Sequence, residues 1–180
     1  MEKTLIVITH PDIQNSVINK RWIEELEKYP HHFTLHELYK KYPSHEISVT
    51  DEQALLEQYE NIVLQFPIYW FNCPPLLKQW FDQVFSHGWA YGSQGNKLEN
   101  RKIALAVTAG GDQTEDYGYQ GKYQYPLVDV LRPFEMTVNY VKANYHSYFS
   151  YYGAEHQQNN QNLDQNAFDY VDFLFQLAKS

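Results

Sequence analysis

Residues 62–91 read IVLQFPIYWFNCPPLLKQWFDQVFSHGWAY, and this stretch indicates the fold more clearly than any other part of the chain. Its first segment, Ile62–Phe66, is an apolar run typical of a parallel strand that helices cover on both faces. Pro74 and Pro75 then open a predicted helix, Cys73–Phe85. One side of that helix carries apolar residues spaced by three and four: Leu77, Trp80, Phe81, Val84 and Phe85.

The turn between this strand and this helix is unusually aromatic. Tyr69, Trp70 and Phe71 follow the carboxyl end of a predicted parallel strand, which is where open α/β sheets bind their ligands. Three flat rings beside backbone amides suit a planar cofactor with polar edges. We therefore expect a cofactor site at this turn.

The composition limits the kinds of protein that the chain can be. At 180 residues it is long enough for one domain, predicted to span residues 1–180, and its net charge of −8 disfavours nucleic-acid binding. No apolar run approaches the ~20 residues that span a bilayer, and a strand begins near the N-terminus without a signal peptide. The single Cys73 excludes an internal disulfide, which favours a reduced, cytoplasmic setting. No metal site is expected.

Aromatic residues are abundant, with 16 Tyr, 10 Phe and 4 Trp. This exceeds what a core of this size requires, so we expect some rings to line a pocket or a subunit interface.

Strand and helix patterns alternate along the chain, which predicts a doubly wound α/β fold with a parallel sheet. The predicted strands are Thr4–Thr9, Phe33–Leu38, Ile62–Phe66, Lys102–Thr108 and Tyr145–Tyr152. Thr50 and Gln53 have the spacing of a capping box for a short helix. Two later helices are predicted at Leu127–Thr137 and Gln165–Leu177, and the polar segment 154–166 is interpreted as a solvated loop.

The loop after the first strand, Thr9–Asn19, has neither a dinucleotide fingerprint nor a P-loop. It offers His10, Asn15, Ser16 and Asn19 at the start of a helix, where unpaired amides and the helix dipole favour an anion such as a phosphate. The alternative is that Ser16 or Asn15 only caps the helix.

The loop after the fourth strand, Thr108–Gly121, contains Gly110 and Gly111. This pair permits backbone to approach a ligand closely, although a plain turn is the alternative. Loops after the first, third and fourth strands open on one edge of the sheet, so together they predict a single site.

Four motifs resemble the flavodoxin-like NAD(P)H:quinone oxidoreductases. They are HPxxxxS at His10–Ser16, FPxxWFxxPxxLKxWFDxVF at Phe66–Phe85, GxAY at Gly88–Tyr91 and TxGG at Thr108–Gly111. The segment SHGWAYG at Ser86–Gly92 is similar to the ancillary oxidoreductases of bacterial glutathione-gated potassium efflux systems. The resemblance covers roughly residues 3–150 and fades in the C-terminal segment.

This resemblance implies a flavodoxin-like three-layer sandwich, with a five-stranded parallel sheet of order 2-1-3-4-5 and helices on both faces. It also implies a bound flavin. The residues implied for its phosphate end are His10, Ser16, Val17, Ile18 and Asn19. Those implied for its ring are Pro67, Ile68, Tyr69, Trp70 and Phe71 on one edge, with Thr108, Ala109, Gly110 and Gly111 on the other. FMN is expected rather than FAD because the chain is short, and NADH or NADPH is the implied co-substrate.

The catalytic side chains implied by the resemblance are Tyr117 and Tyr123. In the family's mammalian members a Tyr and a His follow the TxGG turn; Tyr117 takes the Tyr position, and Tyr123 falls on or near the His position. A phenol donates a hydrogen bond but is a poor proton source at neutral pH. The alternative for Tyr119, Tyr123 and Tyr125 is a tyrosine-rich lid.

The expected protein is a homodimer that oxidises NAD(P)H by ping-pong hydride transfer to quinones or similar electrophiles. Trp70, Trp89 and Tyr91 are predicted to line the substrate pocket, with Trp89 and Tyr91 reaching the partner subunit's site. The alternative is a flavin-bound regulatory subunit of a potassium efflux antiporter, held at the inner face of the membrane by that partner. A one-electron carrier of the flavodoxin kind is disfavoured, because HPDIQNS replaces the Ser/Thr/Gly-rich phosphate loop.

Overall fold

The computed structural model describes residues 3–156 and 158–179. Its five strands are β1 (Thr4–Ile8), β2 (Phe33–Glu37), β3 (Asn61–Pro67), β4 (Lys102–Thr108) and β5 (Asn144–Tyr151). They form one parallel sheet of order β2-β1-β3-β4-β5, as the resemblance implied. In the register of β3 and β4, Pro67 pairs with Thr108, so both strands end at the same level.

Helices cover both faces of this sheet. They are α1 (Ile18–Leu26), α2 (Leu38–Lys41), α3 (Val49–Leu56), α4 (Pro75–Val84), α5 (Leu127–Val130), α6 (Arg132–Tyr140) and α7 (Asn160–Leu177). Trp22 of α1 and Tyr170 of α7 lie in the core on one face, and Trp80 of α4 and Phe134 of α6 lie in the core on the other. Burying each large apolar side chain stabilises the fold by about 1.5–3 kcal/mol, so both layers hold the sheet firmly.

The last helix is longer than the sequence pattern indicated. It begins at Asn160, five residues before the predicted Gln165, because the side chain of Asn159 accepts hydrogen bonds from the backbone N–H groups of Gln161 and Asn162. Such a cap stabilises a helix start by about 1 kcal/mol. The interpretation of 154–166 as a loop was therefore wrong for its second half, which is the exposed first turns of α7.

Two other local predictions were wrong. Helix α3 begins at Val49, so Thr50 lies inside it rather than at its cap. The Gln53 side chain donates instead to Val84 O and Ser86 Oγ, at 2.9 and 3.0 Å. The predicted helix Leu127–Thr137 is two helices, α5 and α6, and Pro133 lies in the first turn of the second.

The buried carboxylate of Glu52 anchors α3 to its neighbours. Glu52 is 1% exposed and accepts hydrogen bonds from Tyr42 Oη at 2.7 Å and Trp80 Nε1 at 2.8 Å, and it pairs with His36 Nε2 at 2.9 Å. Although burial alone would raise the pKa of Glu52, these partners, His36 foremost, lower it below its ordinary value. The His36 ring therefore serves as a structural partner of Glu52. His32, four residues earlier, packs against the ring of Phe175.

Within the described residues, none of the helices combines the length and apolarity that a membrane crossing requires.

Candidate functional site

The carboxyl ends of four strands meet at one edge of the sheet. Backbone hydrogen bonds continue the strand pairing into the loops: Thr9 N donates to Gln65 O and Ile68 N donates to Thr108 O, both at 2.8 Å. Ala109 N donates to Tyr151 O, also at 2.8 Å. The loops predicted to form one site are thus fixed to one another by main-chain contacts.

A cavity of about 370 Å³ lies at the start of α1. All five residues predicted for the phosphate end line it: His10, Ser16, Val17, Ile18 and Asn19. Its wall also includes the carboxylates of Asp12 and Glu155, and among the described residues no lysine or arginine contributes to it. An anion here would be held by neutral donors and by the N–H groups of the first turn of α1.

The His10 ring is suited to be one of these neutral donors. Its Nδ1 accepts a hydrogen bond from Asp12 N at 3.1 Å, so the proton of the neutral ring resides on Nε2. Burial lowers the pKa of His10, although Asp12 opposes that shift. The ring therefore offers an N–H rather than a positive charge.

Ser16 also serves as the cap that the alternative interpretation described. Its Oγ accepts a hydrogen bond from Asn19 N at 3.2 Å, and it lines the cavity as well. A hydroxyl that accepts from the backbone keeps its own proton free to donate. Capping and phosphate binding are therefore compatible at this residue.

Asn19 is held by a buried polar network that the sequence analysis missed. Asn19 Nδ2 donates to Thr108 Oγ1 at 3.1 Å, Gln65 Nε2 donates to Asn19 Oδ1 at 3.2 Å, and Tyr170 Oη donates to Gln65 Oε1 at 3.2 Å. This network joins α1, β4, β3 and α7 beneath the cavity. The available signal was Gln65, a polar residue inside an otherwise apolar strand.

A second cavity, of about 500 Å³, adjoins the first. It is lined by the predicted ring residues Ile68, Tyr69, Trp70, Phe71, Gly110 and Gly111, and by both predicted catalytic residues, Tyr117 and Tyr123. Pro67 and Thr108 line the first cavity instead. Ala109 is fully buried, and its backbone binds Tyr151 and Ala154.

The aromatic turn is a tight two-residue turn. Tyr69 N donates to Asn72 O at 2.8 Å and Asn72 N donates to Tyr69 O at 3.0 Å. Trp70 and Phe71 between them have φ values of 49° and 59°, the left-handed region that a type I′ turn requires. Such a conformation costs side-chain-bearing residues about 1–3 kcal/mol each. The result is a Trp70 side chain that is 94% exposed at the cavity mouth.

Two carboxylates occupy the space beside the glycine pair that side chains there would need. A Cβ on Gly110 would lie 2.7 Å from Glu155 Oε1, and one on Gly111 would lie 2.8 Å from Asp116 Oδ2. Asp116 Oδ2 in turn accepts a hydrogen bond from Asp112 N at 2.7 Å, which stabilises the loop. Glu155, which lines both cavities, was not predicted from the sequence.

The structure separates the tyrosines of this loop into two groups. Tyr117 is 6% exposed and its ring packs edge-on against Tyr123, with 5.1 Å between centroids. Burial raises the pKa of Tyr117 to about 12, so its hydroxyl stays protonated. Tyr119 and Tyr125 are largely exposed, and Tyr119 Oη donates to Asp129 Oδ2 at 3.0 Å. The outer pair fits the lid interpretation, and the inner pair faces the cavity.

Trp89 and Tyr91 lie outside both cavities of their own chain. Trp89 Nε1 donates to Glu57 Oε1 at 2.8 Å. Tyr91 packs beside His87 and Tyr140, with ring centroids 5.5 Å away in each case. A role for these two residues at the site requires a second subunit.

The chain belongs to the Flavodoxin_2 family, which has a flavodoxin-like fold and whose family model matches residues 2–174. It is 44% identical over 154 residues to YrkL, an uncharacterised NAD(P)H oxidoreductase of Bacillus subtilis, covering 86% of this chain and 87% of that protein. It is also 37% identical to KefG of Escherichia coli O1:K1, an ancillary protein of a glutathione-regulated potassium-efflux system, over 96% of this chain and 92% of that protein.

Two solved structures resemble the chain closely. General stress protein 14 of Treponema denticola, in complex with FMN, is 45% identical with a TM-score of 0.91, over 97% of this chain and 99% of that one. An NADPH-quinone reductase from P. pentosaceus is 27% identical with a TM-score of 0.81, over 93% and 96% of the two chains.

Proposed function

We propose that the protein is an FMN-dependent NAD(P)H oxidoreductase that reduces quinones or related electrophiles by ping-pong hydride transfer. The observation that carries the proposal is the pair of adjoining cavities. One has neutral donors at a helix start, and the other has aromatic walls and tyrosine hydroxyls. The similarity to the FMN complex of general stress protein 14 supports the cofactor, and the quinone reductase relative supports the acceptor class.

The residues present suit FMN better than FAD. A third cavity, of about 650 Å³, adjoins the phosphate end at His10 and Asp12, and it is the direction in which an FAD could extend. Glu24, Glu27 and Glu37 line it. The first cavity is itself lined by Asp12 and Glu155 without a lysine or arginine among the described residues, and FAD would place a second phosphate beside a further excess of carboxylates in this third cavity.

When bound, FMN supplies the hydride chemistry, and the chain orients the reactants and adjusts the charge around them. The walls at Tyr69 and Phe71 would confine a flat ring, and Gly110 and Gly111 line the same cavity. Tyr117 donates a hydrogen bond without losing its proton, because its pKa is about 12. Fixed dipoles of this kind stabilise negative charge as it develops.

The decisive experiment is to purify the protein, record its visible spectrum and identify the released cofactor. We expect a yellow protein that releases FMN, whose colour bleaches when NADH or NADPH is added without oxygen and returns on addition of a quinone. A colourless protein that gains no flavin absorbance with FMN or FAD would contradict the proposal. Release of FAD would overturn the cofactor choice alone.

We also propose that the protein acts as a cytoplasmic homodimer. Met136 and Tyr140 on α6 are 69% and 70% exposed, and a cavity of about 400 Å³ beside them is lined by Phe81 and Tyr91. A second subunit on this surface would bring its Trp89 and Tyr91 towards the site. Light scattering would measure the molecular mass in solution, which is expected to be that of a dimer. Tyr140→Glu is expected to yield monomers.

A second candidate function is a regulatory subunit of a potassium efflux antiporter, favoured by the similarity to KefG. To distinguish the oxidoreductase function from the regulatory one, potassium efflux is measured in cells that carry the antiporter. The cells contain either the wild-type chain or Tyr117→Phe. If efflux activation survives a variant that slows flavin reduction, binding rather than turnover is the regulatory signal.

A further inference from the structure

The two cavities of the site meet at four residues that line both of them: Ile68, Tyr69, Gly110 and Glu155. Glu155 contributes the only charged side chain among them. If the flavin ring and phosphate lie in the two cavities, as proposed above, the polyol chain that links them must cross this junction.

The backbone around Glu155 is fixed against the loop after β4. Gly153 N donates to Gly111 O, and Ala154 N donates to Ala109 O, both at 2.9 Å. Gly110 leaves the space that the carboxylate uses, since a Cβ there would lie 2.7 Å from Oε1. Within residues 3–156 and 158–179, the Glu155 carboxylate has neither a hydrogen bond nor an ion pair.

A carboxylate at this position suits one kind of neighbour. It accepts hydrogen bonds and has none to donate, so it would repel a phosphate and would not pair with carbonyl oxygens on a flavin ring. Hydroxyl groups are donors, and hydrogen bonds to a charged acceptor are stronger than those between neutral groups. The flavin ring offers one N–H donor at N3, whereas the polyol chain offers several hydroxyl donors.

We propose that Glu155 accepts hydrogen bonds from the hydroxyl groups of the flavin's ribityl chain and thereby selects flavins that carry this chain. The inference rests on the proposed function, because it needs a flavin at the junction. Riboflavin and lumiflavin distinguish a failure of this inference from a failure of the proposed function. Riboflavin has the ribityl chain without the phosphate, and lumiflavin has the ring without either.

The test measures affinity of the flavin-free full chain for riboflavin and lumiflavin by fluorescence quenching. Glu155→Ala is expected to weaken riboflavin binding about 10- to 100-fold and to leave lumiflavin binding unchanged. Glu155→Gln keeps an acceptor oxygen and should lose less. Glu99→Ala, an exposed acidic residue before β4 and thus at the opposite edge of the sheet, is the control for charge. Unchanged melting temperatures without flavin show that the variants fold.

Equal losses for both ligands would overturn the inference, because the effect would then act on the ring or on the fold. Unchanged riboflavin binding in Glu155→Ala would overturn it too, while the proposed function would stand. If the wild type and Glu99→Ala bind no flavin of any kind, both the proposed function and this inference are wrong.

Discussion

The Asn19 side chain donates a hydrogen bond to Thr108 Oγ1 at 3.1 Å, although 89 residues separate the two in sequence. Asn19 lies in the first turn of α1, beside the cavity predicted for the phosphate, and Thr108 is the last residue of β4. Both side chains are almost completely buried. This contact joins α1 to the end of β4, and Gln65 and Tyr170 extend the network to the last helix.

Tyr170→Phe tests the far end of that network. The change leaves Gln65 Oε1 buried without its donor, so the free energy of unfolding should fall by about 1–3 kcal/mol in urea denaturation. Tyr29→Phe is the matched control, because its ring packs against Phe33 and Phe175 while its hydroxyl has no described partner. A similar loss in both variants would show that the network contributes nothing specific.

Ser16→Asp should weaken FMN binding by roughly a thousandfold. A carboxylate a few ångström from the phosphate, at an effective dielectric near 20, repels it by about 4 kcal/mol. Asp caps helices as well as Ser does, so the fold should survive. Ser16→Ala should lose only about 1.5–3 kcal/mol of FMN binding. Fluorescence titration measures both, and riboflavin, which lacks the phosphate, should bind the Asp variant normally. Wild-type FMN affinity in Ser16→Asp would place the phosphate elsewhere.

Tyr117→Phe should leave FMN binding intact while slowing its reduction by NAD(P)H. The variant keeps the buried ring and removes the hydroxyl. The lost hydrogen bond would stabilise mainly the transition state and the reduced flavin, so its removal raises their free energies. A loss of about 1–3 kcal/mol slows the step by roughly 5- to 150-fold in stopped-flow measurements. Because the pKa of Tyr117 is about 12, the difference between wild type and variant should not change between pH 6 and 9.

Tyr123 offers a separate test, since its ring lies between Tyr117 and Phe71. Tyr123→Phe should slow reduction only if its hydroxyl acts where related enzymes have a histidine. Tyr123→His should quicken reduction below pH 6.5, where an imidazolium can balance negative charge on the ring. If neither Phe variant differs from wild type, backbone dipoles alone assist the reaction.

Glu52→Ala should lower the free energy of unfolding by about 3–5 kcal/mol at pH 7, because His36, Tyr42 and Trp80 lose a buried acceptor. The pKa of Glu52 is lowered in the fold, so its stabilisation is present above the unfolded pKa and disappears as pH falls through the folded one. Urea denaturation at pH 7 and at pH 3.5 should therefore show a smaller difference from wild type at the lower pH. Glu46→Ala, at an exposed site, should change stability by less than about 0.5 kcal/mol.

The sequence was sufficient for the sheet and for the meeting of three loops at one edge of it, because apolar strands and the loops after them follow local rules. Ile62–Phe66 and the aromatic turn are examples, since their patterns depend on neighbours in the chain. Glu155 was not predictable, because its place depends on the loop after β5 folding back over Gly110. The start of α7 was misjudged because Asn159 provides the cap, and an Asn within a polar run gives no distinct signal.

The type I′ turn at Trp70 and Phe71 has a consequence for how fast a ligand can be captured. Its strain is part of the folding free energy, so the backbone of both residues already has its turn conformation when a ligand arrives. Binding then requires no rearrangement of the turn backbone, and association is faster when no conformational change is needed. The turn therefore lowers the stability of the fold but keeps the backbone at the cavity mouth preformed, with the Trp70 side chain exposed there.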